Sequence, residues 1–546
     1  MPSPGDRLDS WKEIAAYANR GVRTVRRWER EEGLPVHRHV HRKLGSVYAY
    51  KSEIDAWRRS GARAPAPPSS ATPRAAAAPG AMTSIVVLPF TNLGTDREDE
   101  YFADGLTDEV TAKLSKVRPL RVTSRTSAMT FRGATKDVKT IAGELGVRYV
   151  LEGSVRRAGS RLRITARLID ASSDDHMWAD TYDGTMEDVF AIQERLARVI
   201  VDALELRLTA DEDRRIAERP IDNVHAYECY LRARQEGWRW RKDAIDHAIR
   251  LLRNGLEIVG DNAGLYAALG LAYLQYREAG IDVGEGPLRE AETCVRKVFA
   301  LAPASASGLR LRGWIHYSRG QVQEAVRDLK GALDIDASNA DTLLLLANCY
   351  LISGRVSIAR PLIVRALVVD PLTPLTRCMP AWADVLDGNF AVAVEPYRQM
   401  FEMDPANPMA GLFYLWVLLL NRRADAVGAI LETFPLDVRD TVPARIASFL
   451  AHCLLGNREA AQAALTPEIE IVATATDVFP RFLAQGFALA GISERALHWL
   501  EIAVERGFIN HPFLARHDPF LQSLRGEPRF ERLLELVRDR WERFEA

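Results

Sequence analysis

Four arginines, Arg23, Arg26, Arg27 and Arg30, recur at i, i+3, i+4 and i+7 between Gly21 and Glu31. On a helix that spacing gathers their guanidiniums on one face, with Thr24 beside them. Such forks of fixed N–H donors suit phosphate oxygens and the O6/N7 edge of guanine. Arg42 and Lys43 add a second basic pair a short way along the chain. The competing reading is a solvated helix face whose charges are answered locally by Glu29, Glu31 and Glu32. His37, His39 and His41 alternate, so on a strand all three share one face. Imidazoles side by side on one strand rarely complete a coordination sphere, and no metal is expected there.

Elsewhere catalytic chemistry is scarce. The chain has no G-x-x-x-x-G-K-[ST] loop, no G-x-G-x-x-G after a strand, no G-x-S-x-G elbow and no H-E-x-x-H. Asp104, Asp108 and Glu109 supply carboxylates, but Asp108 and Glu109 are neighbours and cannot share a helical face. Arg161, Arg163 and Arg167 read as a solvated sheet face. Gly105, Gly146 and Gly153 read as turns and close packing. The sequence therefore points to no catalytic residue, no cofactor and no enzyme.

The basic residues need elements to position them. Ser10 and Glu13 form a capping box that opens a helix with Trp11, Ile14, Ala15 and Ala18 on its apolar face. Asn19-Arg20-Gly21 turns the chain, and a second helix follows from about Val22 to Glu31, with Val22, Val25 and Trp28 pointing inward. Val36–Val40 and Ser46–Tyr50 alternate like two strands around His41–Gly45, and Ser52–Trp57 starts a third helix. The stretch SWKEIAAYANRGVRTVRRWEREEGLPVHRH…GSVYAYKSEIDAW resembles the winged helix-turn-helix of excisionase and MerR-type DNA-binding proteins. That resemblance covers residues 8–60 and implies that Arg23, Thr24, Arg26, Arg27 and Arg30 enter a DNA groove, with Arg42 and Lys43 on the wing. Where the family more often has a small or apolar turn residue, this chain has Asn19-Arg20-Gly21. So small a head binds weakly alone, which predicts a homodimer on paired half-sites.

Whole-chain charge hides this. The 546 residues carry 72 Lys and Arg against 73 Asp and Glu, a net charge of −1. Residues 1–63 hold 14 basic against 8 acidic residues, net +6, which leaves 58 against 65, net −7, for the rest. Five scattered cysteines without a CxxC pair fit neither a disulfide framework nor a zinc site. The first residues lack an apolar signal region. The longest apolar run, Met409–Leu420, has 12 residues, against the ~20 that cross a bilayer. A cytoplasmic protein with no membrane partner is expected.

Residues 61–83, GARAPAPPSSATPRAAAAPGAMT, form an Ala/Pro-rich linker with nothing to build a core. Residues 84–205 mix strands and helices in the order β-α-β-α-β-β, a small mixed sheet with two helices on one side. The words YFADGLTDEV, RVTSRTSAMTF, ELGVRYVLEGSVRR, RITARLID and DVFAIQERLA resemble the TolB-like, or FlgO-like, N-terminal domain. That family brings no established catalytic residues to this chain. In bacterial signalling proteins such a domain commonly stands between a variable N-terminal output module and tetratricopeptide repeats.

From about residue 225 the pattern is helical and repeats every 34 residues. Pro303, Ala337, Pro371 and Pro405 share one register, and Ala291, Ala325, Ala359 and Ala393 another. This is the tetratricopeptide pattern. It implies an α-solenoid over 225–515 with seven or eight repeats, closed by capping helices over 516–546. By that resemblance the concave groove includes Arg310, Trp314, Tyr317, Asn348 and Trp382, which suit a protein or peptide partner. Trp314 and Trp382 could equally be packing residues between helices. The fold class is thus multidomain and mainly α: winged helix-turn-helix, small α/β domain, then solenoid. The function these parts suggest is a DNA-binding regulator whose TolB-like and repeat domains receive a partner or signal. The alternative is a repeat scaffold whose head does not bind DNA.

Overall fold

The structure, a computed structural model, describes residues 6–18, 25, 28–29, 34–39, 46–59, 82–94, 100–237, 239, 241–436 and 438–545. The chain divides into two compact units, residues 1–81 and 82–546. In the first, Ser10 Oγ accepts the Glu13 N–H at 3.2 Å, and the Glu13 carboxylate turns back to the Asp9 N–H at 2.9 Å. This reciprocal cap starts the helix Trp11–Ala18; sequence had Ser10 in place of Asp9 as its second donor. Strands Arg7–Leu8, Ser46–Tyr50 and His37–His39 pair antiparallel in that order, and the helix Lys51–Arg59 follows. Leu8, Ile14, Ala15, Ala18, Val25, Leu34, Ala49 and Ile54 close a small core.

The second unit begins at Met82, inside the segment expected to be linker, and its first strand is Thr83–Val87. Its sheet runs Leu120–Val122, Thr83–Val87, Tyr149–Ala158, Arg161–Asp170, Asp175–Thr185, the first three parallel and the last two antiparallel. The two-sided character of Thr83–Val87 sets the layering. Ile85 and Val87 join Glu100–Leu114 and Val189–Ala203 on one face, while Val86 joins Ala128, Ile141 and Leu145 on the other. Helices therefore cover both faces, where sequence predicted one. The stretch 120–131 is strand only to Val122, since Ser124 Oγ accepts the Ser127 N–H at 3.1 Å and caps a short helix, Arg125–Met129. The outer strand Asp175–Thr185 was not expected: Tyr182 is its one buried apolar residue, so alternation does not mark it.

Eight helix pairs follow among the described residues. They are Val224–Gly237 with Lys242–Val259, Ala263–Glu278 with Glu285–Leu301, Ala306–Ser318 with Val322–Ile335, and Ala340–Ile352 with Val356–Val369. Next come Pro374–Leu386 with Phe390–Met403, Pro408–Leu420 with Ala424–Thr433, Val442–Leu454 with Arg458–Ala464, and Phe479–Leu489 with Ser493–Glu505. Side-chain caps keep the period: Ser305, Asn339 and Asn407, in register by 34 or its double, each accept a backbone N–H at a first-helix start. The last helix, Pro528–Arg543, does more than cap the end of the stack. Its Trp541 and the following Phe544 reach the fourth pair, where Arg355 donates to the Trp541 carbonyl at 2.6 Å.

The α/β domain holds the array at two places. At the first pair, a side chain at Gly105 would collide with Leu231, whose Cδ2 lies 2.5 Å from the Cβ position. At the turn after the fourth pair, Asp370, 3% exposed, takes hydroxyl donors from both partners. Ser127 and Thr373 donate to Oδ1 at 2.7 and 2.8 Å, Thr376 to Oδ2 at 2.7 Å, and Ser124 also reaches Oδ1. Asp370→Ala leaves these hydroxyls without their acceptor and should cost about 2–4 kcal/mol in chemical denaturation of the full chain. A loss below about 0.5 kcal/mol would mean that the junction does not depend on this carboxylate.

Candidate functional site

The head offers the first candidate surface. Val25 is fully buried and Trp28 packs on Trp57 with ring centroids 5.6 Å apart. Arg23, Thr24, Arg26, Arg27, Arg30, Arg42 and Lys43 lie outside the described residues. His37 does not stand as a free ligand: its Nε2 is 2.7 Å from Glu53 Oε2 and its ring stacks on Tyr48 at 5.1 Å. The side chain of His39 and all of His41 lie outside the described residues. Among the described residues no group of three His, Cys, Asp or Glu could hold a metal ion.

In the α/β domain, Asp104 and Asp108 are held by guanidiniums. Arg132 and Arg125 flank Asp104, and Asp108 meets Arg125 on one side and Arg234 at 3.1 Å on the other. Burial still raises the Asp104 carboxyl above its ordinary range, against the pull of both guanidiniums. Arg157 reaches Glu228 at 2.8 Å and the Tyr101 hydroxyl at 2.7 Å, and Gln193 donates to the Tyr227 hydroxyl at 2.9 Å. These contacts bind the domain to the first repeat helix.

The inner face of the array holds the second candidate. The structure brings Tyr317, Asn348 and Trp382 together: Trp382 Nε1 donates to Asn348 Oδ1 at 3.2 Å, and Asn348 Nδ2 donates to the Tyr317 hydroxyl at 2.7 Å. Tyr317 in turn donates to Asp477 of the chain itself. Trp314 donates to Glu278 at 3.4 Å, and Arg310 stands apart from this set, paired with Asp341 at 3.2 Å. Opposite Trp382 lies Arg481, 2% exposed, its guanidinium 4.5 Å from that ring and 5.3, 5.2 and 4.9 Å from Trp416, Phe482 and Phe508. Beyond it Trp416 donates to Gln485 at 2.8 Å and Gln485 to Asp518 at 2.7 Å. The segment from Asp477 to Arg481 thus occupies the groove that the first helices of the repeats create.

Sequence reasoning missed Asp477 and Arg481, which are single residues without a repeat partner, and Asp370, although Asp336 and Asp404 share its 34-residue register. It also missed a periodic signal that was present. Gly320, Gly354, Gly388 and Gly456, with Arg422 in their register, end the first helices with positive φ. Three of them mark where the returning chain crosses: a Cβ at Gly320 would lie 2.3 Å from the Glu505 carbonyl, one at Gly354 2.8 Å from Trp541 Nε1 and one at Gly388 2.5 Å from His517 Nδ1.

Comparison with known proteins agrees on the repeats. A family model described as tetratricopeptide repeat matches residues 316–374. The protein named "Putative adenylate cyclase 3" of Rhizobium meliloti (strain 1021) is 43% identical over 194 residues, 36% of this chain and 33% of that protein. Tetratricopeptide repeat protein 7B of Homo sapiens is 26% identical over 170 residues, 30% of this chain and 20% of that protein. The chain spans a third or less of the length of these curated relatives. Among solved structures, the APC/C hetero-tetramer Cut9-Hcn1 aligns over 64% of this chain and 63% of that chain, with 16% identity and a TM-score of 0.37. The protein is mainly helical and carries a tetratricopeptide repeat array, a kind of array that generally binds protein partners.

The inner face has a titrating group. Asp518 is fully buried, and burial pushes its carboxyl up to about 6 although Gln485 and the Phe520 N–H bind it. Its folded pKa lies above the unfolded value, so the folded chain binds the extra proton and stability falls as pH rises from about 4 to 6. That contribution is about 2–3 kcal/mol, read by urea denaturation across the range. Asp518→Asn should flatten the slope there, and an unchanged slope would assign it to another group.

Proposed function

We propose that this chain is a regulatory protein whose head, residues 8–60, binds duplex DNA and whose repeats hold a protein partner. The observation that carries the reading is the head. It is a unit separate from the body, with a net charge of +6 over residues 1–63, and its core takes in Val25 and Trp28. The apolar positions of the arginine segment are therefore the ones spent on packing, and helical spacing assigns Arg23, Arg26, Arg27 and Arg30 to other positions. Thr24, Arg42 and Lys43 complete the proposed contact set. Binding as a homodimer to paired half-sites compensates for the small size of the head. We place the protein in the cytoplasm; among the described residues no helix is long and apolar enough to cross a membrane.

On the inner face, the chain's own Asp477 and Arg481 engage Tyr317 and Trp382, so a partner bound there would have to displace them. The second reading, a scaffold whose head does not bind DNA, is favoured by the repeats, which alone carry the family match. We infer no cyclase activity from the cyclase-named relative, because the match covers only 33% of that protein. Incubation of the full chain with ATP should yield no cyclic product, and turnover would overturn that inference.

Titration of the full chain against duplex DNA over a salt series separates the two readings. Affinity should fall with a slope of about −0.9 per phosphate contacted. Arg26→Ala plus Arg27→Ala should weaken binding by at least about tenfold and reduce the slope by about 2. Salt-independent binding, or binding that survives the double substitution, would leave the scaffold reading.

A further inference from the structure

The outer helices end on apolar side chains that their own pairs leave uncovered. Ile258, Leu301, Ile335 and Met403 are 48, 44, 37 and 53% exposed. Leu301, Ile335 and Met403 share one 34-residue register, whose remaining member is Val369. Because repeats stack in register, residues at one position line one edge of the array. Residues 257–262, 301–306, 334–341, 368–375 and 402–409 contain no Lys or Arg, and all but the 301–306 turn carry carboxylates. Lys297 answers Asp261, Arg310 answers Asp341 and Arg398 answers Glu402. Glu257, Asp334, Asp336 and Asp404 form no ion pair among the described residues.

At one turn of this edge the chain itself displays a docked occupant. The short helix Arg125–Met129 lies on the turn after the fourth pair, where the Ser124 N–H donates to the Val369 carbonyl at 2.7 Å. The Leu372 N–H donates to Ser127 Oγ at 2.9 Å, and Leu372 packs against the cluster of Ala128 and Phe131. Hydroxyl donors answer the turn carboxylate, Asp370, and Leu372 is the apolar residue packed there. The neighbouring turns repeat the carboxylate as Asp336 and Asp404, with Ser338 and Ala406 in place of Leu372.

We propose that the edge formed by Ile258, Leu301, Ile335 and Met403 docks a basic amphipathic helix of a protein partner. The helix lays its apolar face on this row, and its cations answer the unpaired turn carboxylates. The proposal rests on the reading of the repeats as partner-binding and is independent of the DNA-binding head.

The test uses the full chain and two labelled synthetic helices of ~18 residues, one of Leu and Lys at amphipathic spacing, the other with Glu for Lys. Fluorescence anisotropy should give at least about tenfold tighter binding of the Leu/Lys helix, weakening as salt rises. Ile335→Ser plus Met403→Ser should lower that affinity by about fivefold or more without moving the thermal midpoint. Ile471→Ser, at a 62% exposed site on the Pro467–Thr474 helix, should leave it unchanged. Asp334→Asn plus Asp404→Asn should lower the salt dependence. Equal binding of the two helices overturns the proposal. So does binding unaffected by the Ile335/Met403 pair, which leaves the repeats as the binding element but removes the edge. Self-association abolished by the same pair, without peptide binding, also overturns it and gives the edge to a second copy. DNA affinity, measured on each variant, reports separately on the head.

Discussion

A guanidinium buried to 2% exposure is expensive unless its surroundings are fixed, and Arg481 sits at that depth inside the superhelix. Its Nε has no hydrogen-bond partner among the described residues, and its charge is met by the faces of Trp382, Trp416, Phe482 and Phe508. Each such contact is worth about 0.5–2 kcal/mol, and desolvation strengthens it. Burial brings the Arg481 pKa down to about 10, so the side chain stays a cation at neutral pH, with Asp477 and Asp518 acting on it from nearby. Three of the four rings come from the fifth, sixth and eighth helix pairs and the fourth from the stretch beyond. The cation is satisfied only when these segments converge, so the curvature of the array and the filling of its groove are one event.

Convergence sets the demands on the rest of the chain. The segment that leaves the eighth pair must cross the turns of the third and fourth, where Ile509 N–H meets the Ile352 carbonyl at 3.0 Å and Asn510 donates to the Leu351 carbonyl at 2.9 Å. No side chain fits at Gly320 or Gly354 in that crossing, and both also hold positive φ, which L-residues reach only at a cost. The sequence repeats glycine at this position for two reasons at once: to end a helix, and at these two turns to admit backbone and Trp541.

The repeats and the first helix of the head were legible because each rests on a local pattern. The 34-residue spacing of Pro303, Pro371 and Pro405, and the Ser10/Glu13 cap, are written in short stretches of chain. The α/β order was legible up to the hairpin of Tyr149–Ala158 with Arg161–Asp170, whose alternation is clean. The strand Asp175–Thr185 was not, since an outer strand with a solvated face can be polar throughout. The helices split between faces because Val86 and Ile85 are both apolar, and a run without alternation does not say how many layers it serves. The groove residues were found by register, yet their occupant was not. Asp477 and Arg481 are separated from Tyr317 and Trp382 by about a hundred residues or more, and no period connects them.

That occupant changes what a repeat array of this kind can offer. The inner face, where the first helices converge, is committed to the chain's own Asp477, Arg481 and Gln485. The edge where first helices turn into second ones is crossed by the returning chain at Gly320 and Gly354. What remains is the opposite edge, where second helices turn into the next first ones. There the α/β domain covers one turn, at Val369–Leu372, and leaves Ile335 and Met403 on either side in solvent. An exposed apolar row with unpaired carboxylates beside it is the kind of surface that marks an interaction site. The closure that removes the groove from solvent is therefore also what directs a partner outward, to the edge beside the α/β domain.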